Sequence, residues 1–241
     1  MSLTSDQEWT LIACGLLALA DRVLTGGEAS RLLTLVSAYL DPEDQDEWMD
    51  LLSDQAALEA HFSRMSPPPE ESHQALLERV WMIALADGEA SMAEIRVFDQ
   101  IGARLGISGE QLAILRKKWT YQAMETAEIA ATFLALLLHH GGPPSDAEVE
   151  RYGVVLSRLP LGKVRRDRLR DQLPQAPALG ALAEQLQRLP RSRQIEALRA
   201  IADKLKDFPR RGAARGLLAE VALPAGIPQD VLDELPLPPA A

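Results

Sequence analysis

The sequence predicts an all-α protein built as two tandem helical bundles, and three observations carry that prediction. Leucine and alanine dominate while β-branched and aromatic residues are sparse, a balance that favours helix over sheet. Apolar residues recur at helical spacing along most of the chain, and strand-like alternation is hard to find. A helix–turn–helix pattern with an acid near the turn and a cap after it occurs in four versions. A lone helical hairpin cannot bury its apolar face, so the copies should pack in pairs. The pairs fall in residues 1–122 and 123–241, and 241 residues are enough for two small domains.

Ser5-Asp-Gln-Glu8 reads as a capping box opening a helix to about Asp21, with Trp9, Ile12, Ala13, Leu16, Leu17 and Ala20 at helical spacing. After a turn, Thr25-Gly-Gly-Glu28 caps a second helix carrying Leu32, Leu33, Leu35, Val36 and Leu40. Pro42 stops that helix, and the acids of 41–47 suit the first turn of the next, where the helix dipole favours negative charge. Trp48, Leu51 and Leu52 should face inward there, and another helix covers about Asp54 to Met65. Ser66-Pro-Pro-Pro69 is a loop, and Glu70 to Asp87 a long helix bearing Leu76, Leu77, Val80, Trp81, Ile83 and Ala84.

The stretch Ile83 to Glu94 is the clearest hairpin. Gly88 supplies the left-handed conformation a helix end needs, and Ser91-Met-Ala-Glu94 is a capping box for the helix bearing Ile95, Val97, Phe98, Ile101 and Leu105. Asp21, Thr25 and Glu28 stand at the same offsets as Asp87, Ser91 and Glu94, four and seven residues on, with 66 residues between the copies. Gly106-Ile-Ser108 forms a joint into a helix to about Lys118, whose basic end suits a helix C-terminus.

The third copy keeps the box at Ser145 and Glu148, with His140 or Gly141 where the aspartate was, and is followed by Val149, Tyr152, Val155 and Leu156. An arginine-rich helix covers about Leu161 to Leu173, and another Ala178 to Leu189. The fourth copy has Asp203 and a cap candidate in Asp207, but Arg210 at the glutamate position. The last six residues should fray.

Charge is uneven: 20 acids against 9 bases through Gln122, and 15 against 16 beyond it. An acidic first half repels phosphates and argues against a nucleic-acid partner. The N-terminus has no basic region of a signal peptide, and the apolar run 129–138 is too short to span a bilayer. A cytoplasmic location is expected. The single cysteine, Cys14, excludes an internal disulfide and reads as a small buried hydrophobe.

The segment Ala84-Leu-Ala-Asp87-Gly-Glu-Ala-Ser-x-x-Glu94, with the Leu105-Gly-Ile-Ser108 joint, resembles the TerB-like family of tellurite-resistance proteins, whose fold also occurs in membrane-linked co-chaperones of the DjlA type. Asp87, Gly88 and Glu94 match that family's Ala-Asp-Gly…Glu signature. The resemblance covers residues 5 to about 120; the second half shares it only through its own diverged repeat. It implies a non-enzymatic role in metal-related stress, protein partners at the inner membrane, and a metal ion held by the acids.

Two readings of Asp21, Glu28, Asp87 and Glu94 stand side by side. Four carboxylates without histidine or thiol make a hard, oxygen-rich set suited to calcium, magnesium or manganese. A capping box, however, already requires its glutamate, and an aspartate at a helix end can form an Asx turn. The first reading makes the chain a metal-responsive adaptor; the second makes it a metal-free scaffold that binds a protein partner.

His139 and His140 point about 100° apart on a helix and do not readily share an ion. His61 and His73 have no partner assigned by sequence. The cluster Lys163, Arg165, Arg166, Arg168 and Arg170 is interleaved with Asp167 and Asp171 and lacks aromatic residues to stack bases, so internal ion pairs are expected, with an acidic docking surface as the alternative. No phosphate loop, nucleophile elbow or zinc-protease motif is present, and no enzymatic activity is expected.

Overall fold

Ten consecutive residues of the first helix, Trp9 to Ala18, are buried. A helix that is apolar all round belongs inside a bundle, and this one is the axis of the first half. The computed structural model describes residues 3–21, 26–86, 88–206 and 208–237. Among them are thirteen α-helices and one 3-10 turn, and no strand. The protein is all-α. Its chain divides into two compact units, 1–123 and 124–241.

In the first unit, α1 (Ser5–Ala18) is wrapped by α2 (Gly26–Tyr39), α3 (Pro42–Ser53), α4 (Gln55–Arg64), α5 (Glu70–Ala84) and α6 (Met92–Arg104). Gly15 lets α3 and α4 pack close to α1: a Cβ there would lie 2.7 Å from Leu52 Cδ2 and 3.1 Å from Leu58 Cδ1. The proline-rich loop after α4 is fastened by side chains. Trp9 Nε1 donates to Ser66 O at 2.7 Å, and Arg104 donates to the carbonyls of Ser63 and Met65 while lying over the rings of Phe62 and Trp9.

Four expectations are corrected here. The first capping box is Thr4 with Gln7, not Ser5 with Glu8: Thr4 N donates to Gln7 Oε1 at 2.9 Å, and Gln7 N to Thr4 Oγ1 at 3.3 Å. The helices expected to reach Asp21 and Asp87 end at Ala18 and Ala84. The helix expected to stop near Lys118 continues as α7 (Gly109–His139), because no glycine or proline interrupts 110–139. Arg116 to Lys118 therefore cap nothing, and Arg116 pairs with Asp99 instead. The fourth hairpin has a detour: Phe208 is buried, Arg210 adopts φ 59°, and a 3-10 turn (Arg211–Ala213) precedes the helix. The expected caps Thr25 and Asp207 lie outside the described residues.

The joint at Gly106 is a Schellman motif. Gly106, at φ 76°, donates to Ala103 O and Ile107 N donates to Gly102 O, each at 3.0 Å. The second unit contains the rest of α7 with α8 (Asp146–Ser157), α9 (Lys163–Gln172), α10 (Leu179–Gln187), α11 (Arg191–Lys204), α12 (Ala214–Ala222) and α13 (Gln229–Asp233). Its core joins Phe133, Leu137, Tyr152, Leu156, Leu198 and Leu218. No described helix is long and apolar enough to cross a membrane.

Candidate functional site

The turn after α5 places Gly88 at φ 106°, then Ser91 caps α6. Ser91 N donates to Glu94 Oε2 at 2.6 Å, and Glu94 N to Ser91 Oγ at 3.2 Å. The expected box is present. Glu94 nonetheless is only 6% exposed, and so is Glu28 in the first turn of α2. Burial pushes the Glu94 carboxyl above its ordinary value; the Ser91 hydrogen bonds oppose this, and the negative charges of Glu28 and Asp21 push it further up. Asp21, Glu28 and Glu94 thus share one electrostatic neighbourhood at the tips of two hairpins. Asp87 lies outside the described residues. Among the described residues no three acid, imidazole or thiol groups are gathered to hold a metal by themselves.

The donor chemistry suits a hard divalent cation, since carboxylate oxygens are the ligands such ions take. Capping does not preclude it. An ionised carboxylate has about four acceptor sites, and Ser91 uses two of them, through its amide and its hydroxyl.

The second unit has a similar capping box, with a base in place of a second acid beside it. Ser145 N donates to Glu148 Oε2 at 2.8 Å and Glu148 N to Ser145 Oγ at 3.4 Å, which is the expected box. Arg210 then donates from Nε to Glu148 Oε1 at 2.7 Å and from a terminal nitrogen to Oε2 at 2.9 Å. The guanidinium holds the Glu148 carboxyl down at about 2. Sequence reasoning counted Arg210 only as a lost acid; the signal was a charge reversal at an equivalent repeat position.

Elsewhere the polar residues are structural. His61 Nε2 meets Glu8 at 2.7 Å, His73 meets Pro68 O at 2.9 Å and His139 meets Leu173 O at 2.8 Å. In the arginine-rich helix Lys163 pairs with Asp167, while Arg165 and Arg168 reach Glu128 on α7. Cys14 is fully buried, which pushes its thiol up to about 12 and leaves it unreactive near neutral pH.

Residues 8–117 match the model of a family described as tellurite resistance protein TerB. The first unit is TerB-like. The match spans the α1–α2 and α5–α6 hairpins with Asp21, Glu28, Asp87 and Glu94, and it stops before the second unit. No curated protein and no solved structure matches the chain.

The two boxed glutamates should respond oppositely to pH. Glu94 has a raised folded-state pKa, so its ionisation costs stability above that value, and the cost disappears as pH falls through it toward 4.5. Glu148 has a depressed one, so its contribution is present above 4.5 and lost as pH falls toward 2. Glu94→Gln keeps the box and should melt above the wild type at pH 7, the gap closing on acidification. Glu148→Gln should melt below it at pH 7 and converge only in strong acid. Melting curves from pH 7 to 2 check both; gaps that stay constant with pH would contradict the assignment.

Proposed function

We propose that the protein is a non-enzymatic, cytoplasmic stress-response and interaction module whose TerB-like unit binds a divalent cation through Asp21, Glu28, Asp87 and Glu94. One observation carries this reading: two nearly buried glutamates from separate hairpins stand close enough for one to raise the other's pKa. Like charges in a low-dielectric site are costly, and calcium, magnesium or manganese would offset that cost. The bound ion would tie the α1–α2 tip to the α5–α6 tip, so ion occupancy would set the shape of the surface offered to a protein partner, including one at a membrane.

Thermal unfolding of the full chain, followed by tryptophan fluorescence in each ion, tests the reading. All four tryptophans, Trp9, Trp48, Trp81 and Trp119, lie in the TerB-like unit. Saturable stabilisation of roughly 2.7 kcal/mol is expected at a hundredfold excess of ion over Kd, and Asp87→Ala or Glu94→Gln should remove it. An unmoved wild-type transition at millimolar ion would end the cation reading.

A metal-free scaffold is the second reading, favoured by an open groove of about 480 Å³ beside the α6–α7 joint. It is lined by Glu70, His73, Leu105, Ile107, Ile114 and Leu115, and Ile114 is largely exposed. Capture of a protein partner that is indifferent to chelator and blocked by Ile114→Glu would support it.

A further inference from the structure

The guanidinium of Arg210 has five N–H donors, and five oxygens receive them. Besides the two Glu148 oxygens, it donates to His140 O at 2.9 Å, Gly142 O at 2.8 Å and Pro143 O at 3.2 Å. These acceptors belong to the third hairpin's tip, where Gly141 and Gly142 take φ 85° and 136° and so let three carbonyls within four residues turn toward one point. Arg210 itself adopts φ 59°, the one positive φ among described non-glycine residues. Such a conformation is strained and persists only where its surroundings hold it. Here a carboxylate and three carbonyls do so.

One carboxylate and several carbonyls around one positive charge is the kind of oxygen shell that hard cations take. The repeat makes the comparison direct. Glu148 stands where the first unit has Glu28, and Arg210 where it has Glu94. The pair of acids in one unit is replaced by an acid and a base in the other.

We infer that Arg210 is a built-in cation: in the second unit its guanidinium takes the place that the first unit offers to a metal ion. The inference rests on the cation reading of the TerB-like unit. Arginine stays protonated at every physiological pH, so the second pair of hairpins is fastened permanently. Ion sensitivity is thereby confined to one unit. The run His139-His140-Gly141-Gly142 is accounted for as a cradle of backbone oxygens, with its imidazoles outside the shell.

Amide hydrogen exchange of the full chain, with and without millimolar calcium chloride, tests this at residues 140–148. Calcium should leave wild-type protection there unchanged. Arg210→Gln should exchange roughly tenfold faster or more, as expected for losing hydrogen bonds from a charged group, and calcium should not restore it. Arg210→Glu recreates the two-acid arrangement; it should exchange fast in chelator and regain protection in calcium.

Wild-type exchange rates in Arg210→Gln, calcium protection of 140–148 in the wild type, or a folded Arg210→Glu indifferent to calcium would each overturn the inference. If Arg210→Glu unfolds the second unit, Arg210→Lys decides: charge without the fork should keep more protection than glutamine, and equality with glutamine would overturn the idea. Tryptophan fluorescence of the same samples reports on the TerB-like unit alone. Loss of its ion response would sink the proposed function while leaving the Arg210→Glu result standing, and the reverse pattern would sink only this inference.

Discussion

Phe98→Ala should destabilise the TerB-like unit by about 3–5 kcal/mol, the usual cost of truncating a buried aromatic ring. Phe98 is fully buried one turn after Glu94, and its ring meets two tryptophans edge-on: Trp81 at 4.9 Å and 62°, Trp119 at 6.5 Å and 85°. It therefore joins α5, α6 and α7. Arg116, paired with Asp99, lies over both the Trp81 and Phe98 rings and closes the cluster against water. Alanine would leave a cavity between three helices whose backbones are held by other contacts, so little of it can collapse. Urea unfolding followed by tryptophan fluorescence measures the loss, since the probes flank the cavity. A cost below about 1 kcal/mol would mean that the neighbours close the gap. Glu94 depends on α6 for its position, so the same substitution should also weaken the proposed ion response.

What could be read in advance follows from the range of each interaction. The 83–94 hairpin was legible because a glycine turn and a capping box are complete within a few residues, and both stand as expected in Gly88 and Ser91–Glu94. The start of α1 was ambiguous because two overlapping boxes fit: Thr4–Gln7 and Ser5–Glu8. Glu8 is engaged by His61, 53 residues away, a contact no local pattern contains. The same limit explains Arg116, read as a helix-end cation until Asp99 is placed beside it, and Arg210, whose partner lies 62 residues upstream. The all-round burial of α1 was visible in principle. Trp9 to Ala18 has a single hydroxyl and no charge, a composition suited to a central helix and not to one apolar stripe. At the site, the repeat makes Glu28 and Glu94 equivalent and would bring them together if the two hairpins pack about a pseudo-two-fold axis; the charge of Glu28 does act on Glu94.

That repeat also predicts where the second unit is most vulnerable. The residue one turn after the boxed position is buried in every copy: Leu32, Phe98, Tyr152 and Ala214. Tyr152 and Phe98 are the two aromatic rings at this position, and Tyr152→Ala should likewise cost about 3–5 kcal/mol. Its hydroxyl donates to Ala131 O at 3.2 Å, fastening α8 to α7. Tyr152→Phe keeps the ring and loses that bond, so it should cost only about 1 kcal/mol.

Far-UV circular dichroism is the readout, because no tryptophan lies beyond residue 119. The hydroxyl gives a second signature. Burial raises its pKa above the ordinary value of 10, so the folded state holds its proton longer and stability declines as pH climbs past 10. Tyr152→Phe lacks that group, and its deficit relative to the wild type should narrow in alkali. If it stays constant, the hydroxyl ionises as freely in the fold as outside it. A Tyr152→Phe variant as stable as the wild type at neutral pH would instead mean that the bond to Ala131 has no part in holding α8, and with it Glu148, in place for Arg210.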